Sequence, residues 1–234
     1  MSEGLSVIGF DADDTLWQNE SFFRLTEDKF AELLADFAEG PQLRDRLLEF
    51  ETKNIGHYGF GIKGFMLSMI ETAVAVTDGR VDGRVIGEIL DMGQDMLRHP
   101  IHLLPHVEET LATLSDRYPL VLITKGDLLH QEQKLAASGL GDLFSAVEIV
   151  SEKHPGTYDH AFSVHGMGPK HAMMVGNSMK SDIRPALDVG AHAVYVPHGQ
   201  TWALEHAETP DGHPRYHELP NLGGLVELVG ELTD

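Results

Sequence analysis

The sequence predicts an α/β fold: a parallel β-sheet with helices on both faces, and an α-helical domain inserted after the first strand. Three observations predict it. Short, wholly apolar segments recur along the chain, and such segments are typical of strands buried on both faces. Helical patterns lie between them, as right-handed crossover connections require. Residues 17–104 contain helical patterns but no strand signal.

Five segments have the length and apolar content of buried strands. They are bounded by turn residues, as Pro119 and Gly126 bound the second one. The predicted strands are Leu5–Phe10, Leu120–Ile123, Ala146–Val150, Ala172–Val175 and Ala193–Val196. The helical patterns between the later strands cover His106–Arg117, Leu128–Ser138, Tyr158–His165 and Ile183–Val189. The proline- and glycine-containing stretch Thr201–Leu219 predicts an irregular loop.

The interval after the first strand is filled by four helical patterns. Gly40-Pro41 and Asp78-Gly79 separate them, and Pro41 suits a first helical turn. The predicted helices are Glu20–Glu39, Pro41–Lys53, Lys63–Val76 and Asp82–Arg98. We therefore predict a Rossmann-like core made of residues 1–16 and 105–234, and an α-helical cap domain made of residues 17–104.

Composition excludes several functions. The 234 residues include 17 Lys+Arg and 37 Asp+Glu, a formal charge of −20. This charge argues against nucleic-acid and anionic-membrane partners, both of which require a basic surface. The chain has no cysteine, which excludes disulfides and thiol chemistry and is typical of a reducing, cytoplasmic location. Residues 1–10 lack the basic region and long apolar core of a signal peptide.

Polar residues follow each predicted strand, and ligands bind beyond the carboxyl ends of strands in an open parallel sheet. The set of carboxylates, a hydroxyl, an ammonium group and a glycine turn points to phosphoryl transfer. A divalent cation offsets the repulsion between an attacking carboxylate and a phosphate. A second carboxyl with a raised pKa can protonate the leaving alkoxide. These residues are Asp11–Thr15, Thr124–Asp127, Glu152–His154, Gly176–Ser178 with Asp182, and Pro197–Gly199.

These motifs resemble those of the haloacid dehalogenase superfamily of phosphatases, over nearly the whole chain. The run Phe10–Leu16 resembles the family's first motif, with Asp, any residue, Asp, any residue and Thr. Ile123-Thr124 resembles the second motif, Lys153 with Pro155 the third, and residues 176–178 with 181–182 the fourth. The helical insertion resembles the family's commonest cap. Only 28 residues separate Thr124 from Lys153 (153 − 124 − 1), which leaves no room for the alternative cap.

The resemblance implies a role for each matching residue. Asp11 would be the nucleophile that forms a phosphoaspartyl intermediate, and Asp13 the general acid and then base. Thr124 and the backbone N–H after it would hold the phosphate, and Lys153 would neutralise charge. Mg²⁺ would be bound by Asp11, by the backbone carbonyl of Asp13, and by either Asn177 or Asp182. Many relatives have an acid at the position of Asn177, so the choice between those two ligands stays open.

Further residues are candidates for substrate contact. Lys125 and Gly126 directly follow Thr124. The stretch Asn54–Gly64 suits a loop reaching over the active crevice, with an ordinary interhelical turn as the alternative. From this stretch we expect His57, Tyr58 and Lys63 to contact the leaving group. His154 and His198 lie at strand ends and are further candidates for substrate contact. Asp14 is expected to be a solvated turn residue.

The sequence thus predicts a Mg²⁺-dependent phosphatase that acts on a small phosphorylated metabolite. Three alternatives stay open: a 2-haloacid dehalogenase, a phosphomutase, and a phosphate-binding module without turnover. Asp13 argues against the dehalogenase, which needs neither a leaving-group acid nor a metal ligand there. Neither the identity of the phosphate ester nor the formation of a homodimer follows from the motifs.

Overall fold

The chain forms two compact units in the computed structural model, which describes residues 4–233. The core unit comprises residues up to Gln18, Ile101–Lys125 and the chain from Gln131 onward. The cap unit comprises Asn19–Pro100 together with the short segment Gly126–His130. Residues 1–3 and 234, which belong to the predicted core, lie outside the described residues.

The core unit contains a six-stranded sheet with the strand order β3-β2-β1-β4-β5-β6, and every neighbouring pair is parallel. The α/β fold class predicted from the sequence is confirmed. The chain moves outward from β1 in both directions, so β1 and β4 form the point at which the strand order reverses. The strands are β1 (Val7–Phe10), β2 (Leu120–Lys125), β3 (Ala146–Val150), β4 (Ala172–Gly176), β5 (His192–Tyr195) and β6 (Tyr216–Glu218).

The sixth strand corrects the prediction of an irregular loop over Thr201–Leu219. Three of these residues pair with β5, with Val194 opposite His217. This strand has only three residues, and they contain no apolar run that would indicate a strand. It is defined by its pairing with β5 at the sheet edge. The prediction was therefore wrong at Tyr216–Glu218.

Apolar side chains cover both faces of the sheet at β1, β2 and β4, as the strand patterns predicted. The prediction of a buried strand was wrong for β3, which lies at the sheet edge and has no buried residue. In β1, Ile8 and Phe10 pack on one face and Val7 on the other. The first face packs against α5 (Val107–Ser115) and α9 (Leu225–Thr233), and the second against α7 (Pro155–His165) and α8 (Arg184–Asp188). A further helix, α6 (Leu128–Ser138), follows β2.

The cap unit contains four helices, α1 (Glu20–Leu33), α2 (Gly40–Tyr58), α3 (Ile62–Val76) and α4 (Gly83–Leu97). They pack around an apolar centre that includes Phe30, Leu47 and Met69. Helix α2 includes the first five residues of the stretch that was expected to be a loop, and α3 includes the last three, so that expectation was wrong for Asn54–Tyr58 and for residues 62–64. Buried Asn54 bonds Ser68 of α3 (3.2 Å), and this contact favours helix at that point. Gly59 (φ 73°) and Gly61 (φ 109°) then end the helix and start the next one.

The cap unit also buries three acidic side chains. Glu20 and Glu27 of α1 and Glu51 of α2 are each at most 9% exposed. Arg24 lies 3.0 Å from Glu20 and 3.3 Å from Glu27.

Across residues 4–233, no helix has both the length and the apolar content needed to cross a membrane.

Candidate active site

Asp11 lies at the carboxyl end of β1, where the strand order reverses. Its N–H donates to the carbonyl of Val175 in β4 (2.9 Å), which continues the sheet pairing by one residue. The chain then turns sharply: Asp14 has φ 61°, and its N–H donates to the carbonyl of Trp17 (2.7 Å). The hydroxyl of Thr15 donates to Asp11 Oδ2 (2.9 Å). The turn therefore fixes one carboxylate oxygen of Asp11.

Lys153 binds two carboxylates at once. Its Nζ lies 2.5 Å from Asp11 Oδ1 and 2.7 Å from Asp182 Oδ1, and its side chain is 2% exposed. These two carboxylates raise the pKa of Lys153 although burial opposes them, so the ammonium stays charged. Burial, with a smaller contribution from Asp182, raises the pKa of Asp11 to about 7, while Lys153 opposes the shift. The site thus buries two acids beside one cation.

The carboxylate of Asp13 is surrounded by donors. Oδ1 accepts from Trp17 Nε1 (2.7 Å) and lies 2.5 Å from Lys134 Nζ, and Oδ2 accepts from Gln131 Nε2 (3.2 Å). Burial alone would raise the pKa of Asp13, but these partners lower it below its ordinary value. A general acid needs a raised pKa, and such a pKa was predicted for Asp13. That requirement is not met in this arrangement, because the ammonium of Lys134 stabilises the ionised form.

Thr124 is buried near the end of β2, and Gln131 links it to Asp13. Gln131 Nε2 lies 2.6 Å from Thr124 Oγ1 and 3.1 Å from the carbonyl of Lys125. Lys125 was expected to bind substrate, but its Nζ contacts Glu205 (2.7 Å) and Ser181 (2.8 Å). Its neighbour Gly126 has φ 140°, a conformation that favours glycine.

The remaining substrate-contact candidates belong to the cap unit. His57 is exposed near the end of α2, and Tyr58 donates to Glu71 (2.8 Å). Lys63 lies 2.9 Å from Asp127 within the cap unit.

Two core-unit histidines and Asp14 have structural contacts. The Nδ1 of His154 accepts from the N–H of Thr157 (3.3 Å) at the start of α7. The Nδ1 of His198 lies 2.9 Å from the carbonyl of Gln200 and 3.5 Å from Asp14 Oδ1. Asp14 is buried, so the expectation of a solvated turn residue was wrong; the turn itself is present.

Asn177 follows β4 and faces the first motif. One terminal atom of its amide lies 3.2 Å from Asp11 Oδ2 and 3.1 Å from the carbonyl oxygen of Asp13. In the orientation that satisfies all its neighbours this atom is the nitrogen, which donates to both oxygens and to Thr15 Oγ1 (3.1 Å). Rotating the amide would place its oxygen there instead.

With its oxygen turned toward Asp11 and Asp13, the Asn177 amide would complete a set of three oxygen atoms, the ligand type that Mg²⁺ prefers. Within residues 4–233, no three His, Cys, Asp or Glu side chains converge on one point. A cation site here would therefore use one carboxylate, one amide and one backbone carbonyl.

Asp182 has other partners. It is completely buried, and its Oδ2 accepts from the N–H of Ser178 (2.9 Å), while Lys153 binds its Oδ1. Gly176 leaves room for it, because a Cβ at that position would lie 2.3 Å from Asp182 Oδ2.

Several residues of the site were not singled out from the sequence. Gln131 and Lys134 lie three positions apart on α6, on neighbouring positions of one helix face, and this spacing could have indicated a shared target. Glu205 gives no comparable signal, since it lies 80 positions from Lys125.

Comparison with known proteins agrees with this geometry. A family model described as haloacid dehalogenase-like hydrolase matches residues 5–190. The chain belongs to the haloacid dehalogenase-like hydrolase family. The resemblance that the four motifs predicted is thus confirmed. A solved haloacid dehalogenase-like family hydrolase from Xanthomonas campestris is 38% identical, with a TM-score of 0.87, and the match covers 98% of this chain and 92% of that one.

Curated members of the family with similar sequences are phosphatases. A glyceraldehyde 3-phosphate phosphatase from Methanocaldococcus jannaschii is 23% identical, and the match covers 95% of this chain and 96% of that protein. An N-acylneuraminate-9-phosphatase from Mus musculus is 29% identical over 130 residues, which cover 53% of this chain and 52% of that protein. The match thus spans about half the length of the mouse relative.

Proposed function

We propose that this family member is a phosphatase that hydrolyses a small phosphate ester through a covalent intermediate on Asp11, with Mg²⁺ as its cofactor. The observation that carries the proposal is the setting of Asp11 at the strand-order reversal. One of its oxygens contacts Lys153 (2.5 Å), and the other faces Thr15 and Asn177. The names of the curated relatives support phosphate esters as the substrate class.

Mg²⁺ would be held by Asp11, by the backbone carbonyl of Asp13 and by Asn177. We assign Asp182 a different role, because Asn177 lies beside both Asp11 Oδ2 and the carbonyl of Asp13, whereas the contacts of Asp182 are with Lys153 and the N–H of Ser178. When bound, Mg²⁺ supplies positive charge that favours ionised Asp11 and offsets its repulsion from the phosphate. Asp182 keeps Lys153 oriented and charged beside Asp11.

In the first step, a carboxylate oxygen of Asp11 attacks phosphorus. The bond between phosphorus and the ester oxygen breaks, and the alcohol leaves with the bonding electron pair and takes up a proton. Thr124 and the N–H of Lys125 hold phosphate oxygens, and Lys153 neutralises charge on Asp11 and the phosphate. Water then attacks the phosphorus of the phosphoaspartyl group, releases phosphate and restores Asp11.

Asp13 is the proton carrier in this scheme. The ionised form that Lys134 favours can accept the proton of the attacking water. Donation to the leaving alcohol requires protonated Asp13, so that step works against the contact with Lys134. The contact with Lys134 therefore favours proton transfer from the attacking water and opposes proton donation to the leaving group.

Phosphate release tests the proposal. We would incubate the full chain with Mg²⁺ and a panel of esters that includes glyceraldehyde 3-phosphate and a 9-phosphorylated sugar acid. Asp11→Asn should lower turnover by about three orders of magnitude or more, since the nucleophile is lost. Asp116→Asn, an exposed substitution on the same unit, is the matched control. Full activity of Asp11→Asn would refute the mechanism.

The same assay separates the alternatives. Excess EDTA should abolish phosphate release, and added Mg²⁺ should restore it. Halide release from a 2-haloacid without phosphate release would indicate a dehalogenase. Retention of the phosphoryl group in the product would indicate a phosphomutase.

A further inference from the structure

Glu205 joins two parts of the site that are distant in sequence. It ends a short 3₁₀ turn, Ala203–Glu205, in the segment after β5. Its Oε1 lies 2.7 Å from Lys125 Nζ, and its Oε2 accepts from the hydroxyls of Ser178 and Ser181, the latter at 2.5 Å. Burial would raise the pKa of Glu205, but these three partners lower it, so the side chain is ionised.

Both serines belong to the turn that carries the fourth motif. Ser178 directly follows Asn177, and Ser181 directly precedes Asp182. Ser178 caps a π-helical turn, Met179–Ile183, and Ser181 lies within it; this form is rare and frequent at functional sites. The Oγ of Ser178 accepts from the N–H of Ser181 (2.9 Å), and both hydroxyls donate to Glu205.

The first serine is also linked to the charged pair of the site. The N–H of Ser178 donates to Asp182 Oδ2 (2.9 Å), and Asp182 in turn binds Lys153. Because the peptide of Ser178 adjoins Asn177, a shift of Ser178 moves the Asn177 amide relative to Asp11. The contacts of Glu205 with the two hydroxyls therefore restrain the direction in which Asn177 points.

We propose that Glu205 is a positioning residue for the divalent cation, which it does not itself touch. It holds Ser178 and Ser181 so that the Asn177 amide meets Asp11 and the carbonyl of Asp13. Lys125 neutralises the charge of Glu205 and so supports this contact. The inference rests on the proposed Mg²⁺ site but adds a residue outside all four motifs.

Cation affinity, measured without substrate, tests this role. Residues that orient metal ligands from behind typically change affinity by about 10- to 100-fold when they are substituted. We expect Glu205→Gln to weaken Mg²⁺ binding by that factor in isothermal titration calorimetry on the folded full chain, with competition by Mn²⁺ as a second readout. Glu208→Gln, an exposed substitution in the same segment, should bind like the wild type.

Ser181→Ala provides a second, smaller change. It removes one hydroxyl contact and leaves the Lys125–Glu205 ion pair in place, so it keeps the test valid if Glu205→Gln does not fold. It should weaken Mg²⁺ binding in the same direction. A role in folding alone would lower the unfolding midpoint of both variants and leave the Mg²⁺ affinity of the folded fraction unchanged.

The outcomes are distinct. If folded Glu205→Gln and Ser181→Ala bind Mg²⁺ within about twofold of the wild type, this inference is overturned, because a change of about 10-fold or more is expected. The proposed function would stay intact. Absence of Mg²⁺ binding by the wild-type chain would overturn both. A loss of affinity in both variants, with Glu208→Gln unchanged, would support both.

Discussion

Glu51 in the cap unit offers a test of how burial controls protonation in this protein. Burial is the main cause that raises the pKa of Glu51 from 4.5 to about 8, and the neighbouring carboxylates of Glu27 and Glu20 add to it, while Arg24 opposes it. In the unfolded chain Glu51 regains its ordinary pKa. Between about pH 4.5 and pH 8 the folded protein therefore holds a proton that the unfolded chain has released.

The sign and size of the effect follow from linkage. Because the unfolded state binds fewer protons in this range, the free energy of unfolding falls as pH rises from 4.5 to 8. Each unit of pKa difference corresponds to about 1.4 kcal/mol, so the upper limit is about 5 kcal/mol. Glu51→Gln resembles the protonated side chain and cannot ionise. The variant should match the wild type near pH 5 and be clearly more stable at pH 8.

Urea unfolding followed by circular dichroism at pH 5, 6, 7 and 8 measures this difference. Hydrogen exchange in peptides from α1 and α2 would assign it to the cap unit. Glu88→Gln, an exposed substitution on α4, should follow the wild-type pH dependence. The same pH slope in Glu51→Gln and the wild type, with no gain at pH 8, would refute the argument that Glu51 is held protonated.

Three further predictions concern the core unit. Lys153→Met should lower the free energy of unfolding by about 3–5 kcal/mol in urea titrations, because it leaves the buried carboxylates of Asp11 and Asp182 without their cation; a loss below about 1 kcal/mol would contradict a buried ion pair of this kind. Gly176→Ala should reduce both phosphate release and the melting temperature, because its Cβ would lie 2.3 Å from Asp182 Oδ2; unchanged activity would argue against this packing. Burial lowers the pKa of His217 below 6.5, so the unfolded chain binds the proton more readily and stability should fall as pH drops below about 6.5. His217→Gln should reduce that acid slope in melting curves, and an unchanged slope would assign it to other groups.

The sequence predicted those residues of the site that directly follow strands. Asp11, Lys153 and Asp182 follow three different strands, and the carboxyl ends of parallel strands meet at one edge of the sheet. The structure places the three side chains in direct contact, although 142 positions separate Lys153 from Asp11. The arrangement was predictable because apolar strand segments are a local feature of the sequence. The right-handed crossovers between them then restrict the topology.

The partners of Asp13 and Lys125 could not be predicted in the same way. Lys134 reaches Asp13 from α6, and Glu205 reaches Lys125 from the segment after β5. No periodicity relates these pairs, because each contact depends on how two separate elements pack. The stretch Asn54–Gly64 was expected to be a loop. The contact between Asn54 and Ser68, which favours a helix at the start of this stretch, depends on how α2 and α3 pack and so could not be predicted either.

By itself the sequence determined the α/β class, the order of the motifs and the family, because these depend on residue types and spacing along the chain. Only the tertiary structure decided how the charged groups are paired and protonated. A pKa depends on burial and on the nearest charges, whatever their distance in sequence. Burial and neighbouring acids raise the pKa of Asp11, whereas Lys134 lowers that of Asp13 two residues away. The motif predicts their roles, whereas the fold sets their charge states.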